Sequence, residues 1–154
     1  MQPDKLKNLS LDLLSDGYSL KLTVTGNSMF PYLLSDEVVK VIPFDEKKLK
    51  KGDIIVFKNP TGLIAHRLIG FNKKAHTYTT KGDFCMRKDP LLRKDQIVGK
   101  IVAVFRKEKE FNLEKSYIHL INAILSHLTF VLPYFIKVLR KLGLVKIPSE
   151  YFHN

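Results

Sequence analysis

From Tyr18 to Phe105 the chain is cut into short apolar runs by glycine and proline, which leaves room for strands and turns but not for long helices. Tyr18 to Thr25 alternates large or β-branched residues with small or polar ones. Glu37 to Ile42 reads as a strand stopped by Pro43, and Ile54 to Phe57 as a buried strand after the Gly52-Asp53 turn. Asp45 to Lys51 reads as a solvated, lysine-rich loop. Asn59-Pro60-Thr61-Gly62 turns into Leu63 to Gly70, Phe71 to Ala75 turns again, and His76 to Thr80 is extended. Gln96 to Phe105 reads as a strand pair or one bent strand, with a bulge at Gly99. The pattern predicts a mainly β fold, a small partly closed β domain over residues 18–106. Residues 1–17 hold a short amphipathic helix over residues 4–16, with Leu6, Leu9, Leu13 and Leu14 near one face and Gly17 as its stop.

Residues 114–146 differ in kind. Tyr117 to Ile136 is about long enough to cross a bilayer by the ~20-residue rule. His119, Asn122, Ser126 and Thr129 recur at helical steps and form one polar stripe in an otherwise apolar segment. Pro133 is expected to kink or end the helix, and Lys137, Arg140, Lys141 and Lys146 follow. Such an apolar helix with a basic end suits a membrane surface, a re-entrant segment or a partner. The charge of +11 calls for an anionic partner, a nucleic acid or a membrane. Met1 to Ser10 lacks the apolar stretch of a secretory signal. The single cysteine, Cys85, excludes an internal disulfide and a cysteine metal cluster, and the sequence predicts no cofactor and no metal.

One corner of the β region can hold a hydroxyl with little freedom. In Thr25-Gly26-Asn27-Ser28-Met29-Phe30-Pro31, the glycine permits a tight turn before the serine and the proline fixes the chain just after it. A serine nucleophile needs a base within hydrogen-bond reach. Of five histidines, His119 and His127 sit in the apolar tail, His153 near the terminus and His76 in a hairpin. His66 alone lies inside an apolar strand, directly before Arg67. A histidine base needs a carboxylate to fix its tautomer, and near neutral pH it needs no strong pKa depression. Asp83 and Asp89 both lie in the downstream loop, and spacing does not choose between them.

Four segments in order, Gly26 to Pro31, Lys51 to Phe57, His66-Arg67-Leu68-Ile69 and Thr80-Lys81-Gly82-Asp83, resemble the boxes of type I signal peptidases, in the superfamily that includes the LexA-like (S24/S26) serine peptidases. The resemblance covers about Tyr18 to Phe105. A histidine before the arginine, where bacterial signal peptidases carry lysine, is similar to the endoplasmic-reticulum-type and SipW-like branch. The resemblance implies Ser28 as nucleophile, His66 as base, Asp89 as its orienter and Asp83 as support. Thr25, Asn27, Met29 and Pro31 would, with Ser28, line the oxyanion and peptide-binding region. The implied activity is cleavage of signal or leader peptides after small residues, at a bacterial cell membrane or alternatively in the cytoplasm. Two competing readings are a LexA-like self-cleaving regulator and a catalytically weak peptide- or membrane-binding module. A nucleic-acid partner is not expected, because no helix-turn-helix precedes the β region. The chain departs from the family in having Gly26 where a serine usually helps bind the oxyanion. It also has Ser35-Asp36-Glu37 where Gly-Asp is usual, and its apolar segment lies C-terminal to the β region.

Overall fold

The computed structural model describes residues 3–60, 62–107 and 109–144. Helix α1 (Pro3–Ser15) leads into strands β1 (Leu20–Thr23), β2 (Val38–Pro43), β3 (Ile54–Asn59), β4 (Gly62–Asn72), β5 (Thr77–Lys81), β6 (Leu92–Arg93), β7 (Ile97–Arg106) and β8 (Lys109–Asn112). Helices α2 (Ser116–Leu128) and α3 (Leu132–Lys141) follow. All ladders are antiparallel, in the order β1-β2-β7-β3-β4-β5-β6. β8 pairs with the second half of β7, from Ala103 to Arg106.

The inner strands β3 and β7 are buried on both faces, which follows from their uninterrupted apolar runs. In β3, Ile54 and Val56 pack into one core with Leu14, Met29, Leu33, Val39 and Val41. Ile55 and Phe57 point the other way, into a second core with Leu49, Leu68, Tyr78 and Leu92. β7 is a single strand bent at two register shifts, one opposite Lys40/Val41 that leaves Val102 as an extra residue and one opposite Val56/Phe57 that leaves Val98, beside Gly99. A Cβ on Gly99 would lie 2.6 Å from the Ile42 carbonyl oxygen, so the bend needs glycine there.

Several expectations are corrected. The sheet does not close: its end strands, β1 of four residues and β6 of two, make no ladder with each other. β6 and β8 were not foreseen, β6 because two residues carry no period and β8 because Lys109–Asn112 is exposed throughout. His76 is not extended but sits in the β4–β5 turn with φ 47°. Leu14 reaches the core, whereas Leu9 is exposed. The apolar tail is two helices bent by 67°, with Pro133 in the first turn of the second. No single helix among the described residues is long and apolar enough to cross a membrane. Lys146, His153 and the His119 side chain lie outside the described residues.

Candidate active site

The Ser28 corner is a loop clamped at its base. Val24 N–H donates to Glu37 O at 2.8 Å and Asp36 N–H to Val24 O at 2.9 Å, so residues 25–35 leave and rejoin the sheet at one point. Gly26 takes φ 84°, a left-handed conformation that the turn requires and glycine adopts without strain. A helical turn follows, with Leu33 N–H donating to Met29 O, and buries Met29 and Leu33. Ser28 is thus held just ahead of a fixed turn. Its carbonyl accepts Phe84 N–H at 2.9 Å, and Phe30 meets Phe84 edge to face. These contacts fasten the serine loop to the loop after β5.

His66 enters from β4, 5% exposed. Its Nδ1 lies 2.7 Å from Asp89 Oδ2. An ionised carboxylate can only accept, so Nδ1 carries the proton and Nε2 faces the other way. Thr80 holds Asp89 twice: its hydroxyl donates to Oδ2 at 2.7 Å, and its carbonyl accepts the Asp89 N–H at 3.0 Å. Asp83 makes a different pair. Its two oxygens accept Arg67 Nε at 2.7 Å and Nη2 at 2.6 Å, a bidentate bond with no solvent exposure on the arginine side. Arg67 Nη1 also donates to Gly52 O and Asn122 Oδ1, and its guanidinium lies over the Tyr32 ring. The two aspartates left open by spacing therefore sit on different partners, Asp89 on His66 and Asp83 on Arg67.

Cys85 was not singled out by the sequence for this role. A Cβ on Gly82 would lie 2.6 Å from Cys85 Sγ, 2.6 Å from Ser28 O and 3.0 Å from His66 Nε2, so all three crowd one point. Burial works against a charged His66, but the Asp89 carboxylate and then the Cys85 thiol outweigh it and raise its pKa to about 9. The net direction favours the charged form of His66. Burial raises the Asp89 pKa, while the His66 and Thr80 hydrogen bonds lower it further, and the net direction is down.

Ser28, His66 and Cys85 share a cavity of about 370 Å³ whose other walls are mostly apolar, among them Leu22, Val24, Val39, Leu63 and Ala65. Among the described residues no hydrogen bond joins Ser28 to His66; they meet through the cavity. Thr25, Asn27 and Met29 also line it, whereas Pro31 is exposed and does not. The Asn27 carboxamide oxygen is buried without a hydrogen-bond partner. Two strand edges border the cavity. β1 pairs only with β2, and β4 from Gly62 to His66 pairs only with β3, since its ladder with β5 begins at Arg67. No group of three or more potential metal ligands occurs among the described residues. No protein-family model matches the chain, and no curated protein matches it.

Proposed function

We propose that the protein is a serine endopeptidase of the signal-peptidase kind, cutting an extended peptide after a small side chain. The observation that carries this reading is the buried His66, tied through Nδ1 to Asp89 with Nε2 toward the cavity that Ser28 lines. A carboxylate–imidazole pair with a hydroxyl on its open side is the arrangement acyl transfer uses.

In this mechanism neutral His66 takes the Ser28 proton on Nε2 as Oγ attacks the scissile carbonyl. Asp89 steadies the imidazolium that forms. His66 then returns the proton to the leaving amine, and an acyl-Ser28 ester remains. Water, deprotonated by the same nitrogen, releases it. The developing oxyanion would be met by the Ser28 amide, with Thr25 and Asn27 nearby, since Gly26 brings no hydroxyl. The peptide would lie extended between the edges of β1 and β4, its backbone pairing as an added strand. Its small side chain would point into the apolar cavity.

The test is cleavage of a set of leader-type peptides with small residues before the scissile bond, together with labelling by a fluorophosphonate. Wild type should cleave and label at Ser28. Ser28→Ala and His66→Ala should each lower the rate by a factor of about 10³ or more, Ser28→Ala while melting like the wild type and His66→Ala while remaining folded at the assay temperature. Cleavage retained by Ser28→Ala would sink the reading. A peptide-binding module without catalysis would bind these peptides and leave Ser28 unlabelled.

A further inference from the structure

Helix α2 is inside out for a soluble domain, and α3 leaves a large apolar face uncovered. On α2, Asn122 and Ser126 are buried, with Thr129 just past its end, and 1% of Thr129 is exposed. Asn122 Oδ1 accepts from Arg67, and the Thr129 carbonyl accepts from the buried ammonium of Lys81. The polar stripe therefore faces the sheet, where two buried cations need acceptors. The large apolar side chains turn outward. Leu120, Ile124 and Leu128 form one exposed row on α2, and Val131, Phe135 and Val138 another along α3. Their steps of three and four make each row one continuous face. Leu120 is 65% exposed, so this is an open surface and not a shallow groove. Monomeric soluble proteins rarely show a contiguous apolar face of this kind.

Charge marks what covers it. From Lys115 to Leu144 there is no aspartate or glutamate. Lys137, Arg140 and Lys141 run along the flank of the α3 apolar row and are exposed. Lys88, from the loop that carries Asp89, reaches over the Phe130 ring at 5.3 Å. An apolar face rimmed by cations and free of anions fits the headgroup boundary of an anionic bilayer better than a protein partner, which would offer carboxylates to one side only. Neither helix is long enough to cross alone: thirteen residues of α2 and ten of α3, at ~1.5 Å each, fall short of a ~30 Å hydrocarbon core, and the 67° bend between them suits a pair lying at the surface better than a straight span.

We infer that the bent α2–α3 helix pair is a monotopic docking surface for anionic phospholipid, lying in the plane of the membrane with its outer face sunk to the acyl boundary. Docking needs none of the Ser28 chemistry, so lipid binding and peptide cleavage can fail separately. The experiment is flotation of the purified full chain with phosphatidylcholine vesicles, with and without phosphatidylglycerol, at low and high salt. Binding should be at least about tenfold tighter with phosphatidylglycerol and should weaken in high salt. Phe135→Glu/Val138→Glu should lose at least about tenfold, and Lys137→Glu/Lys141→Glu should lose the dependence on phosphatidylglycerol. Both pairs are exposed, so their melting should match wild type, and melting is measured alongside. Equal binding by wild type and Phe135→Glu/Val138→Glu would overturn the inference. So would a stable dimer that fails to float, which would make the face a self-association surface, or resistance of the bound protein to alkaline carbonate, which would make it a span.

Discussion

At the residue scale, the position of His66 between Asp89 and Cys85 sets the pH behaviour. With its pKa raised to about 9, His66 is charged and unable to act as a base over most of the neutral range. Accordingly kcat/KM should climb about tenfold per pH unit below that value and level off above it. Cys85→Ala removes one of the two groups that hold the proton on, so its plateau should begin at lower pH. At pH 7 that variant should be faster by roughly threefold or more, and a slower one would contradict the role given to the thiol. The same pair also contributes stability, with opposite limits. The His66 share is complete below the ordinary value of 6.5 and fades as pH rises through about 9. The Asp89 share is present above the ordinary carboxylate range and fades as pH falls, because its pKa is lowered. Asp89→Asn should therefore lower Tm most between those limits, and less in acid and strong alkali.

Gly82 is the other decisive residue. Its backbone needs no left-handed angle; it is constrained by space. A methyl there would strike the Ser28 carbonyl, which the Phe84 amide holds in place and which cannot swing aside as a side chain would. Gly82→Ala should cost about 1–3 kcal/mol by overpacking and lower peptidase activity by much more than that loss of stability explains. Denaturant melts beside initial rates would separate the two. None of this crowding was legible in the sequence, because Cys85, Ser28 and Gly82 approach through chain reversals that no local pattern encodes. Ser28 and His66 could be singled out because a glycine–proline corner and a histidine in an apolar strand are local signals. Spacing alone did not tell Asp83 and Asp89 apart, and only the resemblance favoured Asp89 as the His66 partner, because which partner each carboxylate meets is a matter of side-chain geometry.

At the element scale, Arg67 ties four pieces together: the β3 entry turn through Gly52 O, the loop after β5 through Asp83, the serine loop through Tyr32 and α2 through Asn122. It is wholly buried, so its charge depends on those partners. Asp83→Ala leaves that charge uncompensated and should cost about 3–5 kcal/mol, read as a shift in denaturant midpoint. Arg67→Met/Asp83→Leu removes both charges and should recover a good part of the loss. The meeting of α2 with the sheet is as tight at Gly52, where a Cβ would lie 2.5 Å from the Asn122 carbonyl carbon and where φ is already +95°. Gly52→Ala should therefore loosen α2 first, seen as faster amide exchange across residues 117–128 with β7 little changed. The polar stripe Asn122, Ser126 and Thr129 was visible as a stripe in the sequence. Which way it faced was not, since a helix pattern says what its two sides are and not what each side meets. The buried Arg67 and Lys81 decide it, and their acceptors on α2 and past its end are side-chain and backbone meetings that no sequence pattern names.

At the scale of the whole molecule, the sheet puts its chemistry and its apolar helix pair on the same loop. The segment from Lys81 to Asp89 carries the carboxylate that orients His66, the thiol beside it and the Arg67 partner. Lys81 at its start donates to the Thr129 carbonyl between α2 and α3, and Lys88 near its end lies over Phe130. Burial lowers the Lys81 pKa against the pull of the carboxylates around it, so this ammonium holds its proton less firmly than a surface lysine and relies on its acceptors. Two consequences follow from one connection. Sheet and helices should unfold in a single transition, because Arg67 and Lys81 each take an acceptor from the α2–α3 segment and separating the two breaks both bonds. Docking of the helix pair should also be felt at the site. Lys81→Met keeps the length of the side chain and removes its hold on the Thr129 carbonyl, touching neither Ser28 nor His66. It should leave vesicle binding within about twofold of wild type, since the outer faces of α2 and α3 are intact. If the loop depends on that hold, its peptide cleavage should fall about tenfold or more through kcat, as Asp89 loses its fixed place beside His66. Unchanged kcat in this variant would mean that the helix pair only anchors the domain and does not support its site.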